Sequence, residues 1–245
     1  MKKTLFLTGN SLPLIKELSK EYLDNEYNII IAPLICIKEP GEEIEKSALL
    51  DESEFYPHDL PILEGVENHP LLLIPIERVS PFSVRNTILE GLKRFENIDE
   101  VLILYSPTGD NRPLHQLPAS TVEEIVDTGI KGNFYILKQV LDIFLRNNRG
   151  ILTFVLYLRG IDTLPPIDAS ICGCFRKLVD SIFTFYRNES IMINGIESKS
   201  ADPVESAKYI CKTVSEKAQN TFGKWYRHSG RQSFLQALKP KTPPG

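Results

Sequence analysis

The sequence predicts an α/β protein with a doubly wound parallel sheet of about seven strands in a single domain. Short apolar runs recur along the chain, and they are apolar throughout rather than alternating, as in strands buried on both faces of a parallel sheet. Segments with helical spacing of apolar residues separate these runs. A length of 245 residues with 42% hydrophobic content is enough for one full core.

The strands are expected at the apolar runs. The third run contains Pro75, which indicates that this strand ends early. The predicted strands are Thr4–Leu7, Asn28–Ala32, Leu71–Ile76, Val101–Tyr105, Ile151–Tyr157, Ile191–Ile196 and Lys224–Arg227.

The helices are expected between the strands, where apolar residues recur every three or four positions. Ser80 and Pro81 open the second helix as its cap and first-turn proline, and Asp202 caps the last. The predicted helices are Leu14–Leu23, Ser83–Phe95, Val122–Leu145, Ser170–Tyr186 and Pro203–Gln219. The fourth carries two apolar stripes, which exceeds what packing on one sheet requires.

An acidic segment, 36–69, interrupts the alternation of strands and helices and has little periodicity. Irregular segments of this length are usually functional or mobile in compact domains, and so this segment is a candidate surface for a protein partner. A solvated excursion with a short helix is the alternative. We expect one domain over 1–238 and a flexible tail over 239–245.

Composition and charge exclude several classes of function. The net charge of −4 gives no reason to expect a nucleic acid or an anionic membrane as partner. No stretch approaches the ~20 apolar residues of a membrane span. The four cysteines match no disulfide scaffold, which favours reduced thiols in a cytoplasmic protein. Cys172 and Cys174 lack a second pair of ligands, and no metal is expected.

Four segments, taken together, resemble those of a known family. Leu5–Gly9 looks like an opening strand and first glycine, Gly129–Phe134 like a central helix motif, Ile191–Ile196 like a sixth strand, and Gly223–Gly230 like a closing strand. Their order and spacing resemble the short-chain dehydrogenase/reductase (SDR) family, although no single motif is diagnostic. The resemblance implies a Rossmann-like fold, an NAD(P) cofactor and hydride transfer.

The catalytic positions implied by this resemblance hold the wrong residues. The family's lysine falls at Cys172, its tyrosine at Asp168, its serine near Tyr157 and its helix asparagine at Gly129. An aspartate cannot supply a phenol of tuned pKa, and a thiol cannot supply a fixed positive charge. We therefore expect no catalytic residue of the family type. Asp168, Cys172 and Tyr157 are expected to line the old active-site cleft.

The cofactor-binding positions are similarly altered. Of the glycines that let the backbone approach a diphosphate, Gly9 is present, whereas Pro13 and Ile15 stand at the other two positions. The resemblance places Glu77 near the adenine and Tyr105 beside it, where a bulky ring is expected to fill the vacated space. No cofactor is expected, with NAD(P) as the alternative.

The expected function is that of a non-catalytic, SDR-like homodimer that acts in binding, scaffolding or regulation. The dimer is expected to form through helices 122–145 and 170–186, because the family pairs two such helices from each subunit. Two alternatives stay open. One is a divergent NAD(P)-dependent oxidoreductase with a non-standard active site, using Tyr157 or Asp168 as acid. The other is a sensor that binds a small molecule in the old cofactor cleft.

Overall fold

One parallel sheet forms the centre of the computed structural model, which describes residues 2–33, 70–74 and 76–230. Its strands are β1 (Thr4–Gly9), β2 (Asn28–Pro33), β3 (Leu71–Leu73), β4 (Glu100–Tyr105), β5 (Ile151–Tyr157), β6 (Met192–Ser198) and β7 (Trp225–His228). They lie in the order β3-β2-β1-β4-β5-β6-β7, and every neighbouring pair is parallel. The order changes direction between β1 and β4, which opens a crevice at their carboxyl ends.

Helices cover both faces of the sheet. They are α1 (Leu12–Asp24), α2 (Pro81–Phe95), α3 (Ala119–Val126), α4 (Gly132–Asn147), α5 (Pro166–Phe185) and α6 (Pro203–Glu216). Helices α1 and α6 pack with one face of the sheet, and α2, α4 and α5 pack with the other. The predicted fold class, a doubly wound parallel sheet of about seven strands, is confirmed.

Two helices begin where local sequence signals place them. The Ser80 hydroxyl accepts a hydrogen bond from the Ser83 backbone N–H, and a proline follows at the start of α2. The Asp202 carboxylate accepts one from the Val204 N–H at 2.8 Å at the start of α6. Each cap satisfies a backbone donor that has no partner within its own helix.

The helix predicted over Val122–Leu145 is not continuous. A π-helical turn, Asp127–Lys131, separates α3 from α4. Gly129 lies in this turn, where a Cβ atom would be only 2.5 Å from Ile171 Cγ2 of α5. The widened turn and the missing side chain together let α5 approach closely.

The second apolar stripe predicted on α5 is wrong. Cys172 and Val179 are buried with Phe175 in the core between the sheet and α5, so these residues form one wide buried face. Phe183 and Tyr186, near the end of the same helix, are partly buried and pack against this core. Segment 36–69 and tail 239–245 lie outside the described residues. Within the described ranges, no helix combines the length and the apolar character needed to cross a bilayer.

Candidate functional site

A cleft of about 280 Å³ lies at the carboxyl ends of β1 and β4, where the strand order changes direction. Ligands of doubly wound sheets bind at this position. A second hollow, of about 520 Å³, lies near the amino ends of β4 and β5. It is lined by polar and charged residues alone. We take the smaller cleft as the candidate site because topology places it at the crevice. Its lining includes Gly9, Asn10, Ser106, Thr108, Glu124 and Arg159.

The turn from β1 into α1 keeps one glycine for a packing reason. A Cβ atom at Gly9 would lie 2.6 Å from Leu104 Cβ, so any larger residue would separate β1 from β4. Pro13 is exposed in the first turn of α1 and has no N–H to offer a ligand. Ile15 is fully buried, and its N–H is bonded to the Ser11 carbonyl oxygen at 3.0 Å. This helix start therefore offers an anion fewer donors than a glycine-rich turn.

The loops after β1 and β4 are joined by one side chain. The Asn10 amide donates to the Ser106 carbonyl oxygen and accepts from the Ser106 backbone N–H, both at 2.7 Å. The Ser106 hydroxyl is buried and has no hydrogen-bond partner among the described residues. A buried hydroxyl without a partner carries a desolvation cost, which a polar ligand in this cleft would remove.

Asp168 holds the loop after β4 against the start of α5. It is fully buried, and its carboxylate accepts bonds from the N–H groups of Thr108 and Gly109 at 2.9 and 3.0 Å. The Thr108 hydroxyl donates to both carboxylate oxygens at 3.1 Å. These donors occupy the carboxylate at the position where the sequence resemblance places the family's tyrosine. In this arrangement Asp168 is a structural anchor for the loop.

Cys172, Gly129 and Tyr105 belong to the core beneath α5. Burial, followed by the charges of Asp168 and Glu197, raises the pKa of the Cys172 thiol to about 12, and the thiol is therefore protonated at neutral pH. A Cβ atom at Gly129 would be 3.1 Å from the Tyr105 ring. That ring packs against Phe175 with centroids 5.8 Å apart, and burial raises the pKa of its hydroxyl. The expected position of Tyr105 in the vacated cofactor space is wrong, because the ring points into the protein core.

Tyr157 does not join Asp168 and Cys172. Its ring packs in the cluster beneath α1 and α6, on the opposite face of the sheet, and its hydroxyl donates to the Ala201 carbonyl oxygen at 3.3 Å. Burial raises the pKa of Tyr157. The expectation that these three residues line one cleft is wrong, because β5 directs Tyr157 away from α5.

The turn after β3 contains Glu77 and a buried charged residue, Arg78, that was not predicted from the sequence. Glu77 is partly exposed there, and its backbone N–H donates to the Ser83 hydroxyl at 3.1 Å. The neighbouring Arg78 is buried and donates to the Asn133 side-chain oxygen, and burial lowers its pKa to about 10. Among the described residues, its Nε and Nη1 atoms have no hydrogen-bond partner. The residues before Glu77 are mostly apolar, and nothing in this pattern indicated that the arginine after it would be buried.

Three residues of the cleft were also missed: Asn10, Ser106 and Arg159. Each lies within three residues of the end of a predicted strand, and that position is the available signal in the sequence. No group of three His, Cys, Asp or Glu side chains suitable for a metal ion occurs in the part of the chain that the structure describes.

Comparison with known proteins gives matches in structure alone. No family model matches the sequence, and no curated protein matches it. The solved structure of ElxO with NADP bound is 15% identical, with a TM-score of 0.71 over 96% of this chain and 100% of that one. A short-chain dehydrogenase from Bacillus anthracis is 14% identical, with a TM-score of 0.70 over 98% of both chains. An SDR-family oxidoreductase from Brucella ovis, in complex with a partially ordered NAD, is 13% identical, with a TM-score of 0.66 over 94% of this chain and 100% of that one.

The expectation that no cofactor is bound is corrected by these structures, since two proteins of this fold hold NADP or NAD. The physical reason lies in the cleft. Pro13 has no N–H and the Ile15 N–H is bonded within α1, but the crevice at the strand ends has a volume of about 280 Å³ and is lined by Arg159 and by Ser106, whose hydroxyl has no partner among the described residues. The chain has the fold of the short-chain dehydrogenase/reductase oxidoreductases.

Proposed function

We propose that this chain binds a nicotinamide dinucleotide at the carboxyl ends of β1 and β4 and acts as a divergent oxidoreductase. The observation that carries this proposal is the cleft at the point where the strand order changes direction, on a fold shared over almost its full length with NAD(P)-binding oxidoreductases. The proposal concerns a site in which the family's tyrosine and lysine are absent.

The residues of the cleft are suited to hold polar groups of such a ligand. Ser106 has a hydroxyl without a partner among the described residues, Asn10 holds the loops after β1 and β4 together, and Arg159 adds a positive charge. Leu12 brings the start of α1 into the same cleft. The positive end of a helix dipole favours an anionic group at this point.

The proposed reaction proceeds without a tuned acid from the protein. When bound, a reduced nicotinamide dinucleotide would supply a hydride to a carbonyl carbon, and the carbonyl oxygen would then need a proton. Asp168 is occupied by hydrogen bonds, and Cys172 has a pKa of about 12, so we assign the proton to water in the cleft. Because a positioned acid contributes about 10²- to 10⁴-fold, we expect slow turnover.

Titration calorimetry with NADH and NADPH tests the binding proposal directly. We expect saturable binding of one dinucleotide per chain, followed by a slow loss of nicotinamide absorbance with aldehyde and ketone substrates. If neither dinucleotide gives a heat of binding or a shift in Tm, the proposal is wrong. Binding without turnover would support the second candidate.

The second candidate is a non-catalytic homodimeric binding module. The full occupation of the Asp168 carboxylate favours it, because the residue at the position of the family's acid is held in a structural role. We propose that the dimer forms through helices 122–145 and 170–186. Phe134 and Phe185 support this dimer, since they are 52% and 82% exposed on those helices. Free thiols at Cys172, Cys174 and Cys211 support a cytoplasmic location.

A further inference from the structure

Arg159 connects the loop after β5 with the candidate cleft. Its backbone has a φ of 50°, and its guanidinium reaches the loop after β4, where Nη2 donates to the Pro107 carbonyl oxygen at 2.7 Å. The same nitrogen lies close to Gly109, since a Cβ atom built there would be 3.2 Å away. The bond to Pro107 fixes one side of the guanidinium at the cleft.

Within the described residues, no partner is seen for the remaining donors of this guanidinium. A guanidinium has five N–H groups in a planar fork, and the bond to Pro107 uses one of them. Among the described residues, no carboxylate lies within ion-pair distance of Arg159. Glu124 lines the same cleft from α3, is exposed, and opposes any anion there through its charge.

A second observation also points to a ligand at this place. Ser106 is 2% exposed and lines the same cleft as Arg159, and its buried hydroxyl has no partner among the described residues. Leu12, at the start of the 13-residue helix α1, lines this cleft as well. A cation, an unpartnered hydroxyl and a helix start thus converge on one volume.

We propose that Arg159 binds the diphosphate of the dinucleotide, and so compensates for the N–H that Pro13 lacks and for the Ile15 N–H that is bonded within α1. This inference rests on the proposed function. Arginine presents parallel N–H groups that match two oxygens of a phosphate. The Ser106 hydroxyl supplies a further donor. The Arg159 side chain, from the loop after β5, therefore takes the role that the turn after β1 has in a glycine-rich site.

The test compares NADPH binding to the full chain with that to Arg159→Gln, Arg159→Lys and a control, Arg149→Gln. Arg149 is exposed in the loop before β5, at the amino ends of the strands and away from the cleft. Its substitution removes the same charge and serves as the matched control. Because bonds to a charged group are stronger than neutral ones, we expect Arg159→Gln to weaken binding about 10- to 100-fold. Arg149→Gln should bind as the unchanged chain does.

Salt dependence separates a role in binding from a role in packing. Removal of a ligand-binding charge should make NADPH affinity less sensitive to KCl, and Arg159→Lys should restore that sensitivity. Glu124→Gln should strengthen binding by about two- to fivefold, because it removes an opposing charge. A loss of affinity in Arg159→Gln with unchanged salt sensitivity would overturn the inference and indicate a structural role.

The two proposals fail in different ways. If the unchanged chain binds NADPH and Arg159→Gln binds it equally well, the diphosphate assignment is wrong and the proposed function stands. If the unchanged chain binds neither NADH nor NADPH, the proposed function falls and this inference falls with it.

Discussion

Asp168 has a different role from the residue that the SDR resemblance places at its position. A tyrosine there would hold a hydroxyl toward a substrate, whereas the shorter aspartate turns its carboxylate to the loop after β4. Thr108 and Asp168 are 60 residues apart in the chain. Sequence spacing predicts which residue occupies the position, but it carries no information about a partner so distant in the chain.

Substitution Asp168→Asn should destabilise the fold by about 2–3 kcal/mol. An amide keeps the size but turns an NH₂ group toward N–H donors that need an acceptor. Urea unfolding measures the loss. The exposed Asp162 provides the control, since Asp162→Asn should change the free energy of unfolding little. An unchanged midpoint for Asp168→Asn would contradict the anchor role.

The two thiols of the Cys-Gly-Cys segment should differ in reactivity. Because the thiolate is the reactive form, a pKa of about 12 and burial should leave Cys172 unmodified at about pH 8 in the native protein. Cys174 is exposed and should be modified. Mass spectrometry after alkylation locates the label, and denaturant should make both sites react. Rapid labelling of native Cys172 would show that the core beneath α5 opens readily.

The direction of Tyr157 illustrates where residue-level prediction stops. Successive side chains of a strand point to opposite faces, so a shift of one residue moves a side chain across the sheet. The resemblance places the family's serine near Tyr157 but does not fix that register. The structure places Tyr157 beneath α1 and α6, and so it does not lie with Asp168 and Cys172 as predicted.

Among the elements, helix starts could be predicted and the break between α3 and α4 could not. A cap depends on neighbouring residues, and Ser80 and Asp202 gave a local signal. The π turn at Asp127–Lys131 adds one residue to a turn while the apolar residues on either side keep a helical spacing. Periodicity therefore describes two helices as one.

Asn133 connects this turn to the buried Arg78. Its amide donates to the Gly129 carbonyl oxygen at 2.6 Å and accepts from the guanidinium. Asn133→Ala should cost about 2–4 kcal/mol in urea unfolding, because it leaves a buried charge and a carbonyl without this partner. Lys138→Ala, at an exposed position of α4, is the control and should be nearly neutral. Equal effects of the two variants would argue against the connection.

At β7, one histidine should make stability depend on pH. His228 bonds to the Ser198 hydroxyl at 3.0 Å and stacks on Tyr209 at 4.4 Å. Burial lowers the pKa of His228 from its ordinary value of 6.5, and Glu205 opposes this shift. The folded state favours the neutral ring, so its contribution is present above the ordinary pKa and is lost as the pH falls below it.

We therefore expect Tm to fall between about pH 7 and 5, and His228→Gln to reduce that dependence. Exposed His115 supplies the control, because His115→Gln should leave the pH profile unchanged. A profile that is identical in all three proteins would mean that His228 does not carry the effect.

For the whole molecule, the sequence predicted the sheet better than the site. Buried strands must be apolar on both faces, which marks them in any sequence of this fold class. The predicted sheet of about seven parallel strands agrees with the structure, which adds the spatial order of those strands. The cleft depends instead on single side chains in loops, such as Asn10 and Arg159, whose partners lie on other elements.

The proposed dimer predicts that the mass of the protein in solution depends on Phe134 and Phe185. Phe185→Asp and Phe134→Asp should lower the mass measured by analytical ultracentrifugation to that of one chain, because a charge cannot be buried in an apolar interface without a partner. Phe82 is 78% exposed on α2, and Phe82→Asp is the matched control that should leave the mass unchanged. A monomer in the unchanged protein would rule out the dimer.

The pair of hydrogen bonds between Asn10 and Ser106 has a consequence for the kinetics of recognition. It links the two loops before any ligand arrives, and so little backbone ordering remains to oppose association. Such a preorganised groove favours lock-and-key encounter over induced fit, and free and liganded crystals should superpose closely along both loops.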